Sequence, residues 1–307
     1  PSLDKQWGIS AIGAPAAWAK TTGAGVRIGI VDTGIDLSHE DLAGQVAEST
    51  SCLETNGNPL KCTGSAQDDF GHGTHVAGIA AALRDNGKGG VGVAPDARLV
   101  VAKVFRGATA DESDVLAGIK WVVDHGAKVV NLSLGGAVFV MAATFGSALT
   151  DGVEYAWHHG AIPVVASGND DLFGVGIGSS EYGNMDAVVV GATGHDDRLA
   201  DYSSPTGNAK WAVLAPGGTG GQAGAEADDI YSTYWSKDKQ NSYGYLAGTS
   251  MATPHVTGAL ALLLAQGLTK EQAVEKVLGT ADAVSCGANS QHCRGRINVA
   301  RATGATR

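Results

Sequence analysis

Residues 248–255 read Gly-Thr-Ser-Met-Ala-Thr-Pro-His and run directly into the apolar segment Val-Thr-Gly-Ala-Leu-Ala-Leu-Leu-Leu at 256–264. This pattern predicts a glycine turn followed by a buried helix, with Ser250 among its first residues. A serine there presents its hydroxyl to a cleft, and its backbone N–H has no partner within the helix. It can supply a nucleophile together with one donor of an oxyanion hole, or it can simply cap a core helix.

The composition of the 307-residue chain is that of a globular protein. Apolar residues make up 44%, and the 45 glycines, about twice the ordinary share, predict tight turns and close backbone approaches rather than disorder. The length suits one large α/β domain or two smaller ones, and because no boundary is visible we expect a single domain over residues 1–307. The formal charge of −10 repels nucleic acid and anionic membranes, so neither is expected as a partner.

The cysteines indicate a secreted protein, and the first residues are those expected of a processed mature chain. No run of about 20 apolar residues is present to span a bilayer, and residues 1–7 lack a signal segment, as expected of a processed mature chain. The cysteines fall in two local pairs, Cys52 with Cys62 and Cys286 with Cys293, in stretches rich in Gly, Asn and Ser. Two short disulfides are the natural interpretation, although four cysteines allow three pairings. Zinc binding is the competing interpretation, but neither pair has C-x2-C spacing.

Apolar runs alternate with helical patterns along the chain. Short apolar runs typical of strands covered on both faces occur at residues 25–32, 98–104, 129–136, 162–169, 187–192 and 211–215. Helices are predicted from Val76 onward, at 113–125 with Ser113 as N-cap, at 142–159 and at 271–278. This alternation predicts an α/β fold with a mostly parallel central sheet and helices on both faces. The glycine-rich segment 217–229 is expected to be an exposed, mobile loop within the same domain.

Two further polar residues lie where such a sheet places its sites. Asp32 ends the first strand, although an aspartate there can merely cap a turn. His72 precedes a run of small residues that suits a helix packed tightly on the sheet. His72 and His75 form an H-x2-H pair near two aspartates, but zinc hydrolases with two histidines on one helix use i, i+4 spacing with a glutamate between. Zinc is therefore disfavoured, and His75 is predicted to be a hydrogen-bonded structural histidine.

Asp32, His72 and Ser250 together contain the groups that nucleophilic catalysis by serine needs. A serine hydroxyl is a poor nucleophile at neutral pH, so it needs a base, and the base needs a third group that fixes its tautomer and stabilises the imidazolium. The chain order Asp, His, Ser differs from the orders in α/β-hydrolases and in chymotrypsin-type enzymes, and the serine segment lacks the G-x-S-x-G elbow. An esterase of the hydrolase fold is therefore disfavoured.

Three segments in this order resemble the motifs of the subtilisin-like serine proteases, and the resemblance covers nearly the whole chain. They are Val-Asp-Thr-Gly-Ile at 31–35, His-Gly-Thr-His-Val-Ala-Gly at 72–78 and the serine segment. The resemblance implies the family's three-layer α/β fold, with Asp32 orienting the imidazole, His72 acting as general base and then acid, and Ser250 attacking the scissile carbonyl.

The same resemblance implies the remaining parts of a peptidase. Asn169 matches the asparagine whose side-chain N–H binds the oxyanion together with the backbone N–H of Ser250. The expected protein is a secreted monomeric endopeptidase that acts on proteins or peptides through an acyl-enzyme. Its own pro-segment is expected to act as a folding aid and inhibitor, removed before Pro1.

Peptide substrates must be held extended along exposed strand edges. The resemblance places one rim of the cleft at Ser133, Leu134 and Gly135, the other approximately at Ala108, Thr109 and Ala110, and the wall of the pocket for the residue before the scissile bond at Ser167 and Gly168. Beyond Asn169 the sequence departs from common family members, so a preference for small or apolar side chains is the default expectation. The acidic residues Asp111, Glu112 and Asp114 either favour basic residues further from the cut or simply form the acidic start of a helix.

Calcium is the cofactor that the resemblance implies, for stability rather than chemistry. Ca²⁺ takes roughly six to eight oxygen ligands from carboxylates, carboxamides and carbonyls. The matching ligands are Asp41, the carbonyl of Leu83, Asn86 and the carbonyls of Lys88 and Gly90, with Asp4 completing the site or Leu3 facing it instead. The alternative is a glycine-rich loop that holds no ion.

Two other functions are compatible with the same residues. One is a catalytically silent protein that binds peptides along the same strand edges, which turnover of casein distinguishes. The other is a peptide ligase or transferase in which the acyl-enzyme passes to an amine, which product analysis with added amine distinguishes.

Overall fold

The computed structural model describes residues 2–134, 146–169, 185–220 and 226–306. The strands of its central sheet are β1 Arg27–Asp32, β2 Val46–Ser51, β3 Arg98–Lys103, β6 Val129–Leu132, β7 Ile162–Ala166, β8 Val188–Thr193, β9 Trp211–Pro216 and β12 Cys293–Arg296. They lie in the order β12-β9-β8-β7-β6-β1-β3-β2, and each neighbouring pair is parallel. Two antiparallel hairpins lie outside this sheet: β4 Phe105–Arg106 with β5 Thr109–Ala110, and β10 Ile230–Ser236 with β11 Lys239–Leu246.

Helices cover both faces of the sheet. In chain order they are α1 Trp7–Ala11, α2 Ala14–Ala17, α3 His72–Ala81, α4 Glu112–Asp124, α5 Gly146–His158, α6 Thr249–Ala265, α7 Lys270–Gly279 and α8 Val299–Thr303. Short 3-10 turns occur at Leu3–Lys5, Pro59–Lys61 and Glu226–Asp228. Among the described helices, none has the length and apolarity needed to cross a membrane.

The alternation of side chains along each strand separates two hydrophobic layers. In β1, Ile28 and Ile30 point into the layer that contains α3 and α6, whereas Val31 points into the layer that contains α4 and α5. Strands buried on both faces carry apolar residues at nearly every position, which is why they appear in the sequence as continuous apolar runs. The predicted three-layer α/β fold with a parallel sheet is confirmed.

Both predicted disulfides are present, joining Cys52 to Cys62 and Cys286 to Cys293. Each closes a short local loop. The strands that the sequence did not predict are the two edges of the described sheet, β2 and β12, and both hairpins, β4–β5 and β10–β11. β2 reads Val-Ala-Glu-Ser-Thr-Ser and is largely half-exposed, so it lacks the apolar run that marks the central strands.

Two local predictions were wrong. The cap of α4 is Asp111 rather than Ser113, because the Asp111 carboxylate accepts from the backbone N–H of Ser113 at 2.9 Å. The ends of segment 217–229 are not exposed: Gly217, Gly218 and Asp229 are buried, and the Asp229 carboxylate accepts from two backbone N–H groups of that segment, those of Thr219 and Gly220. Residues 221–225 of the segment, and residues 142–145 of the helix predicted at 142–159, lie outside the described residues.

Candidate active site

The candidate residues converge at the carboxyl ends of three adjacent strands. Asp32 is the last residue of β1, Ser133 follows β6, and Asn169 lies three residues beyond the end of β7. The next two sheet strands in the chain, β2 and β3, lie on one side of β1, whereas β6 and the sheet strands that follow it lie on the other, so the strand order changes direction beside β1. Open parallel sheets bind their ligands at such a point. His72 and Ser250 reach it from the first turns of α3 and α6.

Asp32 and His72 form a hydrogen-bonded pair. The Nδ1 of His72 lies 2.7 Å from Oδ1 of Asp32, and the backbone N–H of Thr33 donates to the same oxygen at 2.7 Å. The Asp32 side chain is 1% exposed and that of His72 11%. Because a carboxylate can only accept, Nδ1 carries the proton, and Nε2 is the nitrogen that can take one up.

The charge on Asp32 also sets the basicity of the imidazole. Burial by itself lowers the pKa of His72, but the charge of Asp32, the hydrogen bond to it and the charge of Asp68 together raise that pKa above its ordinary value. His72 is therefore a stronger base than a free histidine.

Close backbone contact brings this pair together. At Gly73, a Cβ atom would lie 2.2 Å from the carbonyl oxygen of Gly34 and 3.1 Å from the Cβ of Asp32. Only glycine lets the first turn of α3 approach the end of β1 so closely.

Ser250 is the second residue of α6, after Gly248, whose φ of 148° favours glycine. Pro254 lies four residues further on and has no N–H, so the carbonyl of Ser250 receives no bond from it within the helix. The hydroxyl of Ser133 donates to that carbonyl at 2.8 Å instead, and the side-chain amide of Asn131 donates to the Ser133 hydroxyl at 2.9 Å. The backbone of the nucleophile segment is thus held by the end of β6.

The hydroxyl of Ser250 donates to the carbonyl of Ser133 over 3.4 Å. Among the described contacts, a hydrogen bond from Ser250 to His72 is not formed. Catalytic hydrogen bonds are often long or misaligned in the absence of substrate and tighten only when it binds.

Asn169 is fixed by the first residue of α6. The backbone N–H and the hydroxyl of Thr249 both donate to Oδ1 of Asn169 at 2.9 Å. These donors set the orientation of the amide, so its Nδ2 is turned away from Thr249. A Cβ at Gly248 would lie 3.2 Å from that Nδ2 and 3.7 Å from the backbone nitrogen of Ser250. The Asn169 side-chain amide and the backbone nitrogen of Ser250 therefore lie beside the same glycine.

The two segments predicted to form the rims of the substrate cleft differ in exposure. Ala108 and Thr109 are exposed in the turn and second strand of the β4–β5 hairpin, and Ala110 is half-exposed. Ser133 and Leu134 are buried, and the hydroxyl of Ser133 is engaged with α6, so this rim can meet a peptide only through its backbone. Gly135 lies outside the described residues, as do residues 170–178, where the sequence departs from the family pattern.

The predicted pocket wall is buried and tied to α6. The hydroxyl of Ser167 donates to the carbonyl of Ser204 at 2.9 Å. Gly168 has φ of 109°, and its N–H donates to the hydroxyl of Thr249 at 3.2 Å. The predicted wall and Asn169 are therefore both tied to Thr249, the residue before Ser250.

The predicted calcium ligands lie around the buried carboxylate of Asp41. One of its oxygens accepts from the side-chain amide of Asn86, and the other accepts from the hydroxyl of Tyr243 at 2.9 Å and from the N–H of Gly90 at 3.2 Å. Lys88 pairs through its side chain with Glu40.

The remaining predicted calcium ligands have fewer contacts with the Asp41 carboxylate. The backbone N–H of Leu83 donates to the carbonyl of Asp41 at 2.9 Å, Asp4 is exposed, and Leu3 is half-buried. Within the described part of the chain, no three His, Cys, Asp or Glu side chains group closely enough to hold a metal ion.

Sequence reasoning missed two residues of this cluster. Gln6 is buried and pairs with both backbone groups of Val91, and Tyr243 reaches Asp41 from the β10–β11 hairpin. Neither has a sequence signal, because their partners lie 85 and 202 residues away.

Two histidines near the site are buried and neutral. His75 places Nε2 3.2 Å from the carbonyl of Gly244, which supports its prediction as a structural histidine, and His255 places Nδ1 2.8 Å from the carbonyl of Met251. Burial, the largest cause, lowers the pKa of His75 to about 3 and that of His255 to about 4 from 6.5.

These values predict loss of stability in acid. The unfolded chain binds more protons than the folded one between about pH 6.5 and each folded pKa, so the free energy of unfolding falls as the pH falls through that window. In a Ser250→Ala background, which prevents self-digestion, we expect His255→Gln to reduce the slope of that free energy between pH 4.5 and 6 by about 1 kcal/mol per pH unit. Denaturant titration measures the slope. The exposed His292→Gln variant serves as control, and equal slopes in both variants would contradict the assignment.

Comparison with known proteins agrees with this geometry. Residues 23–303 match the model of the subtilase family. The chain is 36% identical to thermitase of Thermoactinomyces vulgaris over 299 residues, covering 97% of this chain and 95% of thermitase. It is 36% identical to subtilisin DY of Bacillus licheniformis over 282 residues, covering 90% of each. The solved structure of a protease from Pseudoalteromonas arctica superposes with a TM-score of 0.79 at 29% identity, covering 98% of this chain and 97% of that one. With the family match and the full-length relatives in agreement, this chain belongs to the subtilase family of serine endopeptidases.

Proposed function

We propose that this protein is a secreted endopeptidase that hydrolyses protein or peptide substrates through an acyl-enzyme on Ser250. The observation that carries the proposal is the buried Asp32–His72 pair, 2.7 Å apart, at the same sheet edge as Ser250. The two disulfides support secretion, because such bonds persist in oxidising surroundings.

Each residue has a defined role in the proposed reaction. Nε2 of His72 takes the proton of the Ser250 hydroxyl as Oγ bonds to the scissile carbonyl carbon, and the imidazolium is stabilised by Asp32. His72 then gives that proton to the leaving amine as the C–N bond breaks. Water, activated in turn by His72, releases the acyl group and restores Ser250.

A fluorophosphonate probe tests the proposal directly. We expect one covalent adduct, located on Ser250 by peptide mapping, together with turnover of casein by the unlabelled protein. Folded protein that takes up no probe and leaves casein intact would contradict the peptidase and favour a peptide-binding role. Product analysis with added amine distinguishes hydrolysis from transfer.

The oxyanion donor is tested by Asn169→Ala. We expect kcat to fall by about 10²- to 10³-fold with little change in KM, because the Nδ2 donor acts mainly on the transition state. Thr249→Val is the matched control, since it removes the contacts of the Thr249 hydroxyl with Asn169 and Gly168 but keeps the backbone N–H that holds the Asn169 amide, and with it the Nδ2 donor. Equal losses in the two variants would mean that Asn169 acts only by supporting α6.

Substrate preference is proposed from the pocket wall. Ser167 is buried and Gly168 has no side chain, so we propose small or apolar residues before the scissile bond. Cleavage-site mapping on a mixed peptide library checks this, and cleavage chiefly after charged residues would contradict it.

The residues around Asp41 are chemically suited to binding a calcium ion. The site offers a buried carboxylate, a carboxamide and the carbonyls of loop 83–90, which are oxygen donors of the type that Ca²⁺ prefers. The Asn86 amide donates to the Asp41 carboxylate, and rotating it by half a turn would exchange its hydrogen bond from the Lys88 N–H for an oxygen facing a cation shared with Asp41. We propose that Asp41 and Asn86, with the carbonyls of Leu83, Lys88 and Gly90, hold a calcium ion that ties the loop to the domain and takes no part in the reaction.

Removal of calcium is expected to lower the melting temperature. Saturation at about 100 times the dissociation constant contributes about 2.7 kcal/mol to stability, which a chelator removes. Differential scanning calorimetry of Ser250→Ala protein, with and without chelator, measures the change, and Asp41→Asn should abolish the response. An unchanged melting curve after verified metal removal would contradict the site.

A further inference from the structure

A second carboxylate, Asp68, lies buried between the two elements that carry Asp32 and His72. It is 1% exposed and stands four residues before His72, in the loop that leads into α3. The reaction described above does not use it. We propose that Asp68 is a positioning residue that locks the end of β1 to the start of α3 and, with Asp32, places negative charge around the His72 imidazole.

The contacts of Asp68 with α3 surround His72 on both sides. One carboxylate oxygen accepts from the backbone N–H of Phe70 at 3.0 Å and of Gly71 at 2.9 Å, just before His72. The other accepts from the backbone N–H of Thr74 at 3.0 Å and from its hydroxyl, just after His72. The carboxylate therefore fixes the turn from which the imidazole projects.

The contact of Asp68 with β1 runs through Thr33, the residue after Asp32. The Thr33 hydroxyl donates to Asp68 at 2.9 Å and accepts from the backbone N–H of Gly73 at 2.8 Å. One buried hydroxyl thus joins the neighbour of Asp32, the carboxylate of Asp68 and the neighbour of His72. The separation of Asp32 and His72 is set by this bridge as well as by their own hydrogen bond.

Asp68 is charged in the folded protein. Burial opposes its ionisation, but the hydrogen bonds from Gly71, Thr74 and Phe70 outweigh burial and hold the pKa of its carboxyl below the ordinary value. The charged groups around His72 are then Asp32 from β1 and Asp68 from the loop. The nearby cation, Lys103, is engaged with the carbonyl of Thr33 at 2.7 Å and with Asp69 at 2.8 Å.

The simpler alternative is that the Asp68 carboxylate caps the start of α3 and has no effect on His72. The test must therefore separate the effect of its charge from the effect of capping. Asp68→Asn removes the charge and also replaces one of the two accepting oxygens with an NH2 group, so the pKa of His72, which responds to the charge, is the readout that separates charge from capping. Asp36→Asn is the matched control, because Asp36 is buried nearby and, among the described residues, its carboxylate accepts from Ser38. Both variants are made in the full chain, in active and in Ser250→Ala forms.

The first readout is the pKa of His72, measured by nitrogen NMR of the imidazole in the Ser250→Ala form. We expect Asp68→Asn to lower that pKa by about one unit and Asp36→Asn to leave it where it is in the parent. In the active form we expect kcat to fall about 10-fold in Asp68→Asn alone. A folded Asp68→Asn protein that keeps the parent's pKa and kcat would reduce Asp68 to a helix cap and overturn the proposal.

Thr33→Val supplies a second route if Asp68→Asn does not fold. It breaks the bridge to β1 but retains the charge of Asp68 and its contacts with α3. We expect kcat to fall about 10-fold and the proton signal of the His72 Nδ1–H to shift, with Thr33→Ser recovering much of the loss because it restores the hydroxyl. An unchanged kcat and an unchanged signal in Thr33→Val would overturn the positioning role.

The inference depends on His72 being the general base of the proposed peptidase, but the NMR readout needs no turnover. If the parent protein cleaves no peptide, the proposed function fails while the titration of His72 still decides whether Asp68 acts on it.

Discussion

Ser250→Ala is expected to lower kcat by about 10⁶-fold, a magnitude known from subtilisin itself rather than calculated from this structure. The variant loses the atom that bonds to the substrate. It should fold normally, because within the described residues the Ser250 hydroxyl makes one long contact of 3.4 Å, while the backbone of the segment is held by Ser133. Hydrolysis of a chromogenic peptide measures kcat, and the melting temperature checks the fold.

The control for this experiment is Ser285→Ala, which removes an exposed hydroxyl just before the second disulfide, at the residue preceding Cys286. We expect it to retain full activity and to be labelled by the fluorophosphonate probe, whereas Ser250→Ala should not be labelled. If folded Ser250→Ala protein retained the activity of the parent, the nucleophile would have to lie elsewhere.

Asp32→Asn is expected to have the second largest effect, a fall in kcat of about 10⁴-fold, as in the serine peptidases in which this change has been measured. Asp32 accepts the Nδ1 proton of His72, and its charge is the strongest influence that raises the pKa of that histidine. Without the charge, the imidazolium that forms as Ser250 attacks loses its counter-ion.

The pH profile distinguishes this cause from a general loss of structure. Activity requires neutral His72, so kcat/KM rises with pH through the pKa of His72 in the free enzyme. In the parent we expect the midpoint above 6.5, since that pKa is raised. In Asp32→Asn the residual activity should show the midpoint at lower pH, and Asp36→Asn should leave it unmoved. A profile with the same midpoint in Asp32→Asn would contradict the pairing.

Local patterns in the sequence were sufficient for the fold class. The central strands are buried on both faces, so their apolar runs can be recognised without knowledge of the neighbouring strands. Because these runs are short and are separated by helical patterns, they predict the alternation of strands and helices. The edge strands β2 and β12 escaped detection because neither carries an apolar run and, within the described residues, each pairs with one strand. β2 is largely half-exposed, and β12 ends in Arg296, which is buried through its ion pairs with Asp197 and Asp282. Their identity as strands depends on what they pair with.

The site likewise combines features that can be predicted from the sequence with features that depend on tertiary contacts. The sequence by itself determined the fold class, favoured the two short disulfides and, through its resemblance to the subtilisin-like motifs, predicted Asp32, His72, Ser250 and Asn169. The tertiary structure alone decided how these are held: the hydroxyl of Ser133 turned inward to the carbonyl that Pro254 leaves free, Thr249 orienting the Asn169 amide, and Asp68 bridging β1 and α3. Capping, periodicity and turn signals act between residues a few positions apart and can be read along the chain. A buried hydrogen bond between residues 35 to 117 positions apart satisfies groups that only folding brings together, so the sequence carries no local sign of it.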